Sequence, residues 1–431
     1  MSIMKTIGNS LYCLFLMGLL ACSSDPEVQP AEVFIKYFGT PTQQTAYDVR
    51  LNENGEFIIF GTRRSSNESA NDFYIIKADA QGNLIDDRVW GLDNSDDIAS
   101  RVKVIEGGGY LIIGSVAQLD ETLVPQQKSL YWAHLDENFE TIRVDTLDAN
   151  SKDLIGIDIT LTMSDSVVVI GHTDSLESNQ GGQSVSRQLF VAKSSLDGNV
   201  GWRKTFGFSG SDNNEEAVAI FEKPNGDLIL FGSTSQSGID GEGGLNTLIF
   251  QINSLGTSPV GQVPKYGTRF GGGNADDVPA TVIEIPGGYA VAGTSTLGTE
   301  SYPFLLTVDN NAQLISIDTV NTPFRGAGAR GIGITRALNQ DFILVGQILN
   351  MVDTVQNVSK NHEMMFLRSD QLGTNKSQYA SHYGLIAGND EAAAAITMED
   401  GSIIVAGTAD FGSGVSMITL IKMNDEGLIK D

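Results

Sequence analysis

Carboxylates recur at a nearly fixed place along this chain of 431 residues, and side chains so placed could do chemistry together. Gly61, Gly114, Gly171, Gly232, Gly293, Gly346 and Gly407 each close a short aliphatic run. Counting back seventeen positions from these glycines gives Gln44, Asp97, Leu154, Glu215, Asp276, Ala329 and Asp390. A shift of one residue brings Asp153 into the third place. Asp97, Asp153, Glu215, Asp276 and Asp390 are thus expected to form a ring, with Asp96, Glu216, Asp277 and Glu391 beside it. Such a ring could concentrate negative potential and attract Ca2+ or a cationic partner. It could equally be structural, each carboxylate accepting backbone N–H groups or capping its own turn. No Asp-x-Asp-x-Asp-Gly loop accompanies it, so no cofactor is called for by the residues themselves.

Other chemistry is sparse. Of the four histidines, His134, His172, His362 and His382, none stands in a zinc-binding spacing, so any metal site would have to be assembled by the fold. The glycine-rich stretches 271–273 and 326–333 do not open a helix after a strand, and no Gly-Lys-Ser/Thr follows them. No Gly-x-Ser-x-Gly elbow stands between a strand and a helix. The two cysteines, Cys13 and Cys22, both lie near the N-terminus. With 27 Lys and Arg against 53 Asp and Glu, the net charge of -26 excludes the basic surface that nucleic acid requires. The same charge excludes electrostatic docking on anionic lipid, so membrane attachment must be apolar or covalent.

The elements that would position the ring follow from the repeat. The aliphatic runs ending at the seven glycines are spaced by 53, 57, 61, 61, 53 and 61 residues. A turn and another short apolar strand precede each run, for example Asn225-Gly226 after 217–221. A polar loop, a third strand such as 73–77 and a fourth, more polar strand such as 201–206 follow. Four short strands joined by Gly, Asn and Asp turns make one antiparallel sheet, and such a repeat is what a propeller blade requires. The seventh copy lacks a fourth strand, whereas residues 33–39 resemble one without the first three. An all-β, seven-bladed propeller is expected, its ring closed by the N-terminal strand completing the last blade. The loops expected at 116–128, 173–187, 234–246 and 348–362 vary between copies and are the better place for binding specificity.

The N-terminus supplies an address. One cation, Lys5, precedes an apolar run from Leu11 to Leu20 that is too short to span a bilayer comfortably. Leu19, Leu20, Ala21 and Cys22 look like the lipobox of bacterial lipoproteins, with residues 1–21 as signal peptide and Cys22 as the acylated residue. An ordinary secretory signal with an incidental cysteine is the alternative. Residues 22–31 then form a short tether and 32–431 the propeller. With Cys22 acylated no thiol remains for a disulfide, a metal or a nucleophile. Nine residues of tether, 23–31, reach about 30 Å at most, which keeps the propeller near the membrane.

The run from Asp197 to Gly207, with Asp212 and Glu215 to Ala217 after it, resembles the repeats of bacterial β-propeller proteins. Many of these are lipoproteins of Bacteroidetes-type bacteria, and their repeats read roughly Gly-Asn-x-x-Trp-x-Lys-Thr-Phe-Gly-Gly followed by Asp-Glu-Ala. The resemblance implies architecture and a cell-envelope location, outer membrane by lipid anchor, on either its periplasmic or its extracellular face. It carries no catalytic motif. The function expected is a non-catalytic binding or assembly scaffold for a protein or an extracellular polymer. The alternative is a carbohydrate-active hydrolase or lyase using the carboxylates at the channel mouth.

Overall fold

The computed structural model describes residues 33–429 except 65–69, 150–151, 180–181, 208–213, 236–243, 259–266, 272–273, 323–327, 351–360, 372–379 and 386–387. Cys22 and the expected signal and tether therefore lie outside the described residues. Twenty-eight strands form seven four-stranded antiparallel sheets. Blade 1 runs outward from β2 (Gln43–Leu51) through β3 (Phe57–Arg64) and β4 (Asn71–Ala78) to β5 (Leu84–Trp90). Blades 2 to 6 repeat that order over 95–147, 154–206, 215–270, 276–319 and 329–383.

Blade 7 takes three strands from the C-terminal end, β26 (Glu391–Thr397), β27 (Ile403–Gly412) and β28 (Val415–Met423). Its fourth is β1 (Phe34–Phe38), which pairs antiparallel with β28 from Phe34 opposite Lys422 to Phe38 opposite Ile418. The expected closure by residues 33–39 is what is found.

One local device, present in every blade, accounts for the recurring glycine. Each inner strand carries a bulge: the pairing with the second strand skips Tyr47, Ser100, Ile157, Val218, Ala280, Ile332 and Ala393 in turn. The bulge turns a carbonyl of the inner strand onto the second strand. A Cβ at Gly61 would lie 2.2 Å from Thr45 O, and one at Gly346 1.9 Å from Arg330 O. The other five glycines meet the same obstacle. Only a residue without a side chain fits there, which is why the motif survives in all seven copies.

Packing follows strand rank. Second and third strands are buried on both faces, as in Phe57 to Phe60 and Phe73 to Ile76, because neighbouring blades cover them. Clusters such as Phe60, Phe73, Tyr110 and Tyr131 bridge blades 1 and 2. Outer strands such as β5 are mostly exposed, its Leu84 and Ile85 included. Not every expected loop is a loop. Residues 173–187 belong to a long hairpin in which β11 (Ser166–Asn179) pairs with β12 (Gly182–Ser195) as far as Asn179 opposite Gly182. Only 120–124 separate β7 (Tyr110–Leu119) from β8 (Pro125–Leu135). Most of the other two expected loops lies outside the described residues.

Candidate functional site

Chain direction puts the starts of the inner strands, the connections between blades and the links from second to third strands on one rim. All five residues of the expected ring stand there, but in two different slots. In the first slot the side chain turns into the junction behind the preceding blade. Asp97, wholly buried, accepts Leu92 N at 2.8 Å and Ser95 Oγ at 2.6 Å. Asp390 accepts Asp410 N at 2.7 Å and Leu385 N, and Glu215 accepts Thr234 Oγ1 at 2.9 Å. A glycine after the preceding outer strand makes room. A Cβ at Gly91 would lie 2.1 Å from Asp97 Oδ2, and one at Gly207 2.6 Å from Glu215 Oε2. Gln44 against Gly39 and Asp277 against Gly271 complete this set.

Asp153 and Asp276 occupy the second slot, one residue earlier. Asp153 Oδ1 accepts Lys128 N at 2.9 Å and Asp276 Oδ1 accepts Leu245 N at 2.7 Å, each tying an inner strand to the start of the previous blade's third strand. Asp96, Asn214 and Asn389 make the same bond to Asn71 N, Arg187 N and His362 N. Constant counting misassigned blade 5 because five residues separate Glu222 from Leu228 in blade 4, but only four separate Glu284 from Tyr289. In blade 3 no shift is needed: Leu154, wholly buried, fills the first slot.

These bonds set the electrostatics. Burial raises the Asp97 carboxyl to about 6, against the opposing effect of its hydrogen bonds to Ser95 and Leu92. Asp390 is raised for the same reason. Strand alternation turns the residue after the first slot away from the junction, and those residues form a mixed set, Glu216, Glu391 and Arg330 among Ile98, Ile155 and Val278. Deeper in, Arg101 donates to Tyr47 O at 3.3 Å and, from blade 2 to blade 5, to Ala280 O at 3.4 Å. Among the described residues no three His, Cys, Asp or Glu side chains gather as a metal site.

Blade 3 departs from the repeat. Thr173 stands opposite Leu154 as Thr234 stands opposite Glu215. With leucine in place of the carboxylate, the Thr173 hydroxyl, in a side chain only 6% exposed, has no hydrogen-bond partner. An open cleft of 420 Å³ lies there, its lining including Thr173, Gln188, Phe190, Arg203, Thr205 and Lys152. His172, on the opposite face of the strand, is buried and drawn down to about 4 by desolvation, then by the Arg187 charge. Desolvation also lowers His134 and His362.

Two further groups were not visible in the sequence. Tyr37 and Phe411 are the exposed large aromatics among the described residues, and they touch edge to face with centroids 5.4 Å apart. The Tyr37 hydroxyl bonds that of Tyr383 across blades 6 and 7. His382 Nδ1 pairs with Glu363. His382 and Tyr383, consecutive in β25 (Ser381–Tyr383), project to opposite faces of the sheet.

No protein-family model and no curated protein sequence matches the chain. Among solved structures, a polysaccharide lyase of family PL25, an ulvan lyase, is 12% identical with a TM-score of 0.53, covering 91% of this chain and 97% of its own. The same kind of lyase bound to -[GlcA(1-4)Rha3S]- gives 11% and 0.52, with the same coverages. A protein of unknown function from Dyadobacter fermentans is 9% identical at a TM-score of 0.48, over 93% and 99% of the two chains. The lyase likenesses establish the propeller fold and nothing finer.

Proposed function

We propose that the protein is exported, acylated on Cys22 and held at the outer membrane, where the propeller is a non-catalytic binding scaffold for an extracellular polysaccharide. One observation carries this reading. The ring carboxylates that a hydrolase would need are engaged in hydrogen bonds within blades and at their junctions, while Tyr37, Phe411 and the cleft of blade 3 stay open on the same rim. Exposed rings offer flat apolar faces, and the cleft offers hydroxyl, amide and cationic groups, a combination suited to sugars. The address rests on the sequence around Cys22.

A carbohydrate-active lyase or hydrolase is the second reading, favoured by the propeller lyases among the structural neighbours and by the His382–Glu363 couple. The opposite projection of His382 and Tyr383 counts against a joint acid–base role for those two. The test is retention of the mature protein on a panel of polysaccharides, with new reducing ends and unsaturated products followed in the same tubes. Retention without product is expected; turnover would replace the scaffold reading with the second. Labelled palmitate should enter the wild type and not Cys22→Ala. A protein partner becomes the answer if no polymer is retained and cross-linking yields one stoichiometric neighbour.

A further inference from the structure

We propose that the cleft between blades 2 and 3 is a subsite for a carboxylate-bearing sugar, a uronate unit of the polymer. This rests on the polysaccharide-binding reading and adds the chemistry of the ligand.

The argument starts from a vacancy in the repeat. In blade 4 the Glu215 carboxylate accepts the Thr234 hydroxyl at 2.9 Å. In blade 3 the equivalent Thr173 hydroxyl is buried beside Leu154 and bonds to nothing. A buried donor without an acceptor is costly, and a carboxylate arriving from outside would relieve it as the protein's own does one blade away.

The surroundings select the same charge. Lys152 and Arg203 line the cleft, and neither pairs with a carboxylate among the described residues. The two acids at the cleft are already engaged, Asp148 with Ser129 and Asp174 with Arg187 at 3.4 Å. Lys152, Arg203 and Lys204, none ion-paired among the described residues, thus line a cleft whose wall includes Thr173 with its orphaned, buried hydroxyl. Arg203 can take a carboxylate bidentately, with Lys152 adding a point charge.

The remaining walls fit the rest of a sugar. Phe190, largely buried, gives an apolar floor, and Gln188 and Thr205 present an amide and a hydroxyl to ring oxygens. A volume of 420 Å³ lies within the range of small-molecule sites.

Ligand-observed NMR on the full mature chain tests this with three probes: sodium glucuronate, glucose and a sulfated glucosamine. Glucuronate should bind at least about tenfold more tightly than glucose, the scale of one charge-assisted contact. The double variant Lys152→Gln/Arg203→Gln should lose about tenfold or more in glucuronate affinity. Thr173→Val, nearly isosteric, should weaken glucuronate severalfold without lowering the thermal midpoint, because it removes a hydroxyl the free protein does not use. Equal binding of glucose, or indifference of glucuronate to both variants, would overturn the proposal. A clear preference for the sulfated sugar would overturn the carboxylate assignment. If polymers are retained and glucuronate is not bound, this subsite alone falls; if no polysaccharide is retained, the reading beneath it falls too.

Discussion

Blades 3 and 4 share the bulged inner strand and the glycine opposite it, and they differ at a buried pair beside them. In blade 4 a threonine and a glutamate face each other across the first two strands and are satisfied; in blade 3 the same threonine faces a leucine. Both blades keep the bulge, the glycine opposite it and the bond from the second slot to the preceding blade. What the frame needs is thus repeated, and what it can do without is where the copies diverge. An unsatisfied hydroxyl next to unpaired cations is the trace of such a divergence.

The largest effects should be common to both blades. Gly171→Ala and Gly232→Ala would set a Cβ 2.0 Å from Ile155 O and 2.4 Å from Glu216 O. Because the obstacle is backbone, each should cost roughly 3 kcal/mol or more in denaturant unfolding. A mild effect in one blade alone would mean that the frame is not shared.

Glu215→Leu should make blade 4 resemble blade 3, at a cost of about 2 kcal/mol through loss of the buried Glu215–Thr234 hydrogen bond. A new anion affinity at that junction would be a bonus the stability measurement does not require.

Titration separates the junctions next. The folded Asp97 carboxyl lies near 6, above its unfolded value, so between about pH 4 and 6 the folded state holds the extra proton. Its contribution to stability is complete below that window and is lost as pH rises through it. Asp97→Asn should flatten this slope by roughly 2 kcal/mol across the window. His172 in blade 3 acts in the opposite sense. Drawn down to about 4, it leaves the unfolded chain with the extra proton between about pH 4 and 6.5, so its contribution grows with pH. Unfolding midpoints of wild type, Asp97→Asn and His172→Phe across pH 4 to 7 would show slopes of opposite sign, or break the comparison.

The smallest effects concern threonines and surface rings. Thr234→Val should cost about 1 kcal/mol and Thr173→Val close to nothing, since only the first donates a hydrogen bond. Phe411→Ala, at an exposed position, should stay within about 0.5 kcal/mol of wild type while reducing retention on polymer.

The blade count was legible because the bulge imposes a glycine seven times, a requirement visible in the spacing of the aliphatic runs. Ring membership was less so. A one-residue difference in the turn after Glu284 moved the count from Asp277 to Asp276, and at period two a single step exchanges one bonding partner for another. Whether a carboxylate faces a channel or a junction cannot be read from its residue type; it depends on parity within the strand. Tyr37 and Phe411 sit near opposite ends of the chain, and only closure of the ring brings them together. The hairpin over 173–187 looked like a loop because its polar residues lack the apolar alternation of a half-buried strand.

The strand that closes the ring has a consequence in time. Phe34 pairs with Lys422, so a segment made early finds its partner only after several hundred further residues have been made. Contacts of such separation are slow to form, and until this one does, β28 presents a bare edge to anything extended nearby. Until β1 docks, the folding protein passes through a ring-open stage. The same delay leaves a moment when a strand from another molecule could take the place of β1.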